Sequence, residues 1–90
     1  MTIYSVSYDL RKPERDYEDL YKRIKSYNYA RVVESTWLIE SNDTAVRIRD
    51  YLTEVLDKDD QLIVITAKAD AAWTTTLPTE VSSWIKRNLT

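Results

Sequence analysis

A chain of 90 residues with 43% apolar side chains can build one small core, and its net charge of −2 argues against indiscriminate coating of nucleic acid. The absence of cysteine and histidine excludes disulfides, thiolate metal sites, cysteine nucleophiles and serine–histidine triads, leaving carboxylates, a hard cation, lysine, tyrosine or backbone amides for any catalysis. The absence of glycine excludes the glycine-rich phosphate loops and the dinucleotide fingerprint, both of which need a residue without Cβ for close backbone approach.

Thr2 to Leu10 alternates as a half-buried strand does. Tyr4, Val6, Tyr8 and Leu10 fall on one face, suited to a core. Ile3, Ser5, Ser7 and Asp9 fall on the other, a shallow polar trough with a carboxylate at its far end. That carboxylate suits a metal ligand or part of a phosphate site, and equally a solvated strand terminus. Pro13, in the polar link Arg11-Lys12-Pro13-Glu14-Arg15, stops the strand. Asp16 is the expected N-cap of a helix whose stripe is Tyr17, Leu20, Tyr21, Ile24 and Tyr27.

Residues 30–40 are rich in β-branched and aromatic side chains and read either as one long strand or as two short ones folded about Glu34-Ser35. Ser41, Asn42 and Asp43 offer caps for a second helix that buries Ala45, Ile48, Leu52, Val55 and Leu56. Asp57, Asp59 and Asp60 form a polar turn, without the glycine and distal glutamate of a calcium loop. Gln61 to Lys68 encloses the continuous apolar run Leu62-Ile63-Val64-Ile65, the pattern of a strand covered on both faces. One layer of helices covers one face, so the run points to a second copy on the other. Ala71, Ala72, Trp73 and three threonines suit a short strand, and Pro78-Thr79-Glu80 opens a helix, capped by Thr79, that buries Val81, Trp84, Ile85 and Leu89.

Charge is uneven: residues 1–31 carry seven basic groups against five acidic, at Arg11, Lys12, Arg15, Lys22, Arg23, Lys25 and Arg31, and the remainder is acidic. This is either a solvated helix face or a phosphate-contacting patch. Trp37 and Trp73 are expected as packing anchors, and Ser35 as a turn residue. No apolar run approaches the roughly 20 residues of a membrane span, so a cytoplasmic protein with no membrane partner is expected.

With residues 30–40 as a hairpin, the order is the βαββαβ of an α+β, ferredoxin-like sandwich, a single domain over 1–90 with a C-terminal strand or helix added. Tyr8-Asp9-Leu10 at the first strand end, Arg31 to Trp37 with Ser35 before the aromatic, and Ala71-Ala72-Trp73 carry a likeness across about residues 3–75. The chain resembles the small CRISPR-associated adaptation nucleases, more closely a set of short bacterial SinR-like proteins, and in the same neighbourhood the toxin-like VapD proteins. The resemblance implies a homodimer with two sheets face to face. It places Asp9 at the family's Mg²⁺-ligand position for phosphodiester cleavage of RNA or DNA, with Arg11, Lys12 and Arg15 as nucleic-acid contacts. Members of this fold group also act without that aspartate, so a non-catalytic dimeric interaction module is the alternative.

Overall fold

The side-chain alternation of the first strand sorts the protein into two apolar clusters on opposite faces of one sheet. The computed structural model describes residues 1–12, 16–68 and 70–89. Its elements are β1 (Thr2–Asp9), α1 (Glu18–Ile24), β2 (Asn28–Val33), β3 (Thr36–Ser41), α2 (Ala45–Thr53), β4 (Gln61–Thr66) and α3 (Thr79–Asn88). All strand pairs are antiparallel, in the order β2-β3-β1-β4, so this is a small α+β protein.

The main core lies under α1 and α2. Tyr4 and Val6 of β1 and Trp37 and Ile39 of β3 meet Tyr17, Leu20, Ile24, Ile48 and Leu52, with Tyr8, Leu10, Leu62 and Val64 packed at its margin. The helical spacing read from the sequence therefore names this core. The second core sits on the opposite face, where Ile3, Ala30 and Leu38 receive Trp84 and Ile85 of α3. The indole N–H of Trp84 donates to Asn28 Oδ1 at 2.9 Å, so this large ring is buried without stranding its polar atom.

Residues 30–40 resolve as a hairpin. β2 and β3 pair as Ala30↔Leu38, Arg31↔Trp37 and Val33↔Thr36, with a register shift between Arg31 and Val33. No residue among those described has positive φ, so the Glu34-Ser35 turn is not one of the primed turns that match the right-handed twist of a hairpin. The extra residue at Val32 adds local twist to the strand leading into it.

Several expected details are corrected. The N-cap position of α1 is Tyr17, not Asp16; the Asp16 carboxylate instead accepts from the Glu18 N–H at 2.9 Å. The cap of α2 is Thr44, whose Oγ1 accepts from Arg47 N–H at 3.2 Å, while Ser41 Oγ accepts from Asp43 N–H one turn earlier. Pro78 stands at the N-cap of α3 and Thr79 is its first helical residue. The described residues between β4 and α3 contain no strand: three threonines favour extended backbone, yet here they find no strand to pair with.

The apolar run of β4 is also half right. Leu62 and Val64 face the main core, whereas Ile63 and Ile65 are 56% and 52% exposed. α3 packs against β2 and over Ile3 at the start of β1, and leaves Asp9 at the far end of β1 and Ile63 and Ile65 of β4 open on the second face. That face is divided, one half dry under α3 and the other wet. Among the described residues no helix is long and apolar enough to cross a membrane.

Candidate functional site

The open half of the second face is built by register. Ser5 lies opposite Ile65, Ser7 opposite Ile63 and Asp9 opposite Gln61. The polar trough read from β1 is therefore flanked by two exposed isoleucines. A groove of about 270 Å³ runs along Ser7, Tyr8, Asp9, Gln61, Leu62 and Ile63. The hydroxyls of Ser7 and Thr36 are 3.0 Å apart and satisfy one another, so Asp9 carries the trough's charge.

Asp9 is at the very end of β1, its side chain 61% exposed, and its Oδ2 is 3.1 Å from Nη2 of Arg11. Lys12 turns instead toward the α2–β4 connection, with Nζ 3.8 Å from Asp59 Oδ2. Arg15, the third expected nucleic-acid contact, lies outside the described residues. The structure thus brings Asp9 and Arg11 together and sends Lys12 to a different carboxylate. Among the described residues no group of three or more acidic side chains gathers as a metal site.

Asp60, which the sequence shows only as part of a polar turn, organises this strand end. Its Oδ1 accepts the Arg11 N–H at 2.7 Å, its Oδ2 accepts the Asp57 N–H at 2.9 Å, and Tyr17 O–H lies 3.0 Å from both oxygens. One carboxylate therefore ties the chain leaving Asp9 to the start of α1 and to the turn before β4. Burial first, and then the bond to Asp60, hold the Tyr17 phenol above its ordinary value near 10.

Across the strand from the trough, Tyr8 points to the helical side. Its phenolic oxygen accepts the Trp37 indole N–H at 2.9 Å and donates to the Glu34 carbonyl at 3.2 Å. Burial raises the Tyr8 phenol, with the Trp37 bond and the Arg31 charge opposing. The Arg31 guanidinium lies 4.9 Å from the ring centres of both Tyr21 and Trp37 and donates through Nε and Nη2 to the Glu34 carbonyl, at 3.1 and 2.8 Å. The two rings are stacked on one another with centroids 6.1 Å apart, and the planar cation lies beside the stack within reach of both, a contact that suits arginine. Tyr8, Asp9, Leu10, Tyr21, Arg31, Glu34 and Ser35 line a groove of about 230 Å³.

Asp9 borders both grooves, so it stands on a rim between the open sheet face and the arginine–aromatic cleft. Ser35 is in the hairpin turn, its carbonyl accepting the Tyr8 N–H at 3.1 Å. Trp37 is wholly buried, and Trp73 bonds through its indole N–H to Ser82 Oγ at 3.0 Å. Both are packing anchors, as their residue type suggests. Arg31 is named in the sequence only as one of seven basic residues, and its seat against Tyr21 and Trp37 is what sequence reasoning missed. The signal was its cross-strand partner Trp37, legible only once the turn is fixed at Glu34-Ser35.

No protein-family model matches the chain. In three dimensions it is similar to a hypothetical protein, TT1823, of Thermus thermophilus. The TM-score is 0.69 with 22% identical residues, over 86% of this chain and 94% of that one. At that identity the likeness carries the fold alone.

Proposed function

We propose that this protein is a homodimeric, nuclease-like member of the ferredoxin-like group, resembling the CRISPR-associated adaptation, SinR-like and VapD proteins, with Asp9 as its cation ligand. The order β2-β3-β1-β4, with β3 between the two strands joined by α1, supports the ferredoxin-like reading. The observation that carries the functional reading is the placement of Asp9. It is an exposed carboxylate on the rim between the arginine–aromatic cleft and the half of the sheet face that α3 leaves uncovered.

Among the described residues one protomer gathers no group of three acidic side chains here, and Asp60 is already engaged by the Arg11 and Asp57 N–H groups and Tyr17. Two copies of Asp9 match the oxygen chemistry of Mg²⁺, which is commonly held by one or two carboxylates with water and substrate phosphate completing the shell. A bound cation would supply charge neutralisation and a more acidic water for phosphodiester cleavage. The rest falls to the chain. Asp60 holds the backbone at Arg11, Arg11 lies within reach of a phosphate entering beside Asp9, and Ile63 and Ile65 provide apolar contact for a second copy. The pair between Arg11 and Asp9 does not block a cation: exposed pairs are worth only about 0.2–1 kcal/mol.

The second reading is a non-catalytic dimeric interaction module. The pairing of both Arg11 and Lys12 with carboxylates favours it, because neither cation is held ready for phosphate. Single-stranded and duplex RNA and DNA incubated with the protein and Mg²⁺, beside Asp9→Ala, separate the two. The nuclease reading expects cleavage by the wild type that is lost in D9A and in excess EDTA. Equal cleavage by both proteins, or none by either, leaves the interaction module.

A further inference from the structure

The cleft beside Asp9 does not end at Arg31. The same arginine also lines a groove of about 330 Å³ on the outer side of β2, with Tyr29, Ala30, Glu80, Val81, Trp84 and Arg87. Arg31 therefore joins two grooves into one track that starts at Asp9, rounds the exposed edge of β2 and reaches the last turn of α3. Arg87 is exposed, and its guanidinium makes no hydrogen bond or ion pair among the described residues. Arg31 is exposed and donates to the Glu34 carbonyl through Nε and Nη2, which leaves further N–H groups of its five for a ligand. Glu80 is the carboxylate of the second groove, leaving it with two guanidinium groups against one acid. Tyr29 is 38% exposed, and its ring sits 5.6 Å from that of Trp37, so it is held from behind and open in front.

The second groove, with two guanidinium groups against one acid and an aromatic ring at its border, suits a flexible polyanion whose bases carry π-faces. A single-stranded nucleic acid has both properties, and such strands are bound by cationic grooves along the backbone with aromatic rings for the bases. We infer that the β2–α3 groove is a second binding subsite for single-stranded nucleic acid, with Arg87 contacting a phosphate and Tyr29 stacking on a base several nucleotides from the one at Asp9. This rests on the reading of Asp9 as the substrate-facing end of the track. It also gives α3 a task besides covering the second core, on a segment the resemblance to known families does not reach.

The test measures binding separately from cleavage. Fluorescence anisotropy of labelled 20-nucleotide oligo(U) and oligo(dT) is recorded in EDTA across a salt series for the wild type, Arg87→Ala, Arg87→Lys, Tyr29→Ala and Arg47→Ala. Arg47, exposed on α2 outside both grooves, is the control. R87A is expected to weaken binding several-fold and make the slope of log affinity against log salt shallower by about 0.7, the share of one phosphate on a single strand. R87K keeps most of the affinity, Y29A weakens binding with little change in slope, and R47A matches the wild type. Wild-type affinity and slope in R87A overturn the subsite while leaving the Asp9 reading to its own cleavage test. A wild type that binds neither oligonucleotide overturns the track as a whole.

Discussion

The carboxylate of Asp60 is the best place to test how this fold supports its candidate site. Replacing it with alanine removes the acceptor for the Arg11 and Asp57 N–H groups and for the Tyr17 hydroxyl. Tyr17 is only 8% exposed, so its hydroxyl loses a carboxylate acceptor in a place water reaches poorly. Such a loss costs about 1–3 kcal/mol, and hydrogen bonds to a charged acceptor are worth about 1.5–3 kcal/mol where buried. The Arg11 amide is exposed and recovers by binding water, so it adds little. The sum for Asp60→Ala is about 2–4 kcal/mol. A domain of this size loses roughly 4–8 °C of Tm per kcal/mol, so a fall of about 8–30 °C is expected. Asp60→Asn keeps one acceptor oxygen for Tyr17 and Arg11 and turns an NH₂ toward the Asp57 amide, so it falls between wild type and alanine. Urea unfolding gives the free energies, and amide exchange at Arg11 and Asp57 shows whether the strand end loosens. Because Tyr17 and Asp60 touch, Tyr17→Phe and Asp60→Ala combined should cost at least about 0.5 kcal/mol less than the sum of the two alone. A Tm for D60A within 3 °C of wild type, or strict additivity in the double variant, refutes the assignment of Asp60 as the tie between the three segments.

Three further outcomes follow from the same coordinates. Trp84→Ala should destabilise by about 3–5 kcal/mol in urea unfolding, because it empties the second core, while Trp84→Phe should cost about 1 kcal/mol for the lost bond to Asn28; equal losses would show that the ring itself is not what anchors α3. In the proposed homodimer Ile63→Asp would put a carboxylate into the contact, so it should lower the mass seen by sedimentation velocity from dimer to monomer and lower Tm by what the association contributed; a monomeric wild type or an unchanged mass refutes Ile63 as the contact between copies. Alkaline pH should destabilise the fold: Tyr8, Tyr17 and Tyr27 all have phenols raised above their ordinary value near 10, chiefly by burial. The unfolded chain then gives up its phenolic protons first. The stabilisation is complete below about pH 10 and is lost as pH rises through the folded values, which Tm against pH together with phenolate absorbance would record.

How far the sequence speaks for itself varies by segment. The two faces of β1 were legible because a strand's period is two and the alternation there runs unbroken. The stripes of α1 and α2 were equally readable, whereas the caps moved by one to three residues, since Ser41, Asn42, Asp43 and Thr44 are all competent and only the three-dimensional path selects Thr44. The hairpin was undecidable because Ser35 is a weak turn signal and neither glycine nor asparagine stands beside it. The threonine triplet misled because β-propensity reports fitness for a sheet and says nothing about whether a neighbouring strand is there to pair with. α3 was visible as a helix, but its seat on the second face depends on Ile3, Ala30 and Leu38, far away in sequence. For the site, Asp9 and Arg11 could be named, yet their mutual pairing, the tie at Asp60 and the seat of Arg31 against the Tyr21–Trp37 stack are all products of segments meeting.

The right-handed or extended geometry of every described turn has a consequence for how such a protein changes over generations. With no position at which an L-side chain is sterically penalised, its connections place little demand on residue identity. Residues 34–35 and 57–59 can exchange acidic, basic or neutral side chains without bending the backbone out of shape, while Asp60 is kept by the bonds it accepts. The charge displayed around the rim of Asp9 is therefore free to be selected by whatever binds there, while the scaffold beneath it stays the same.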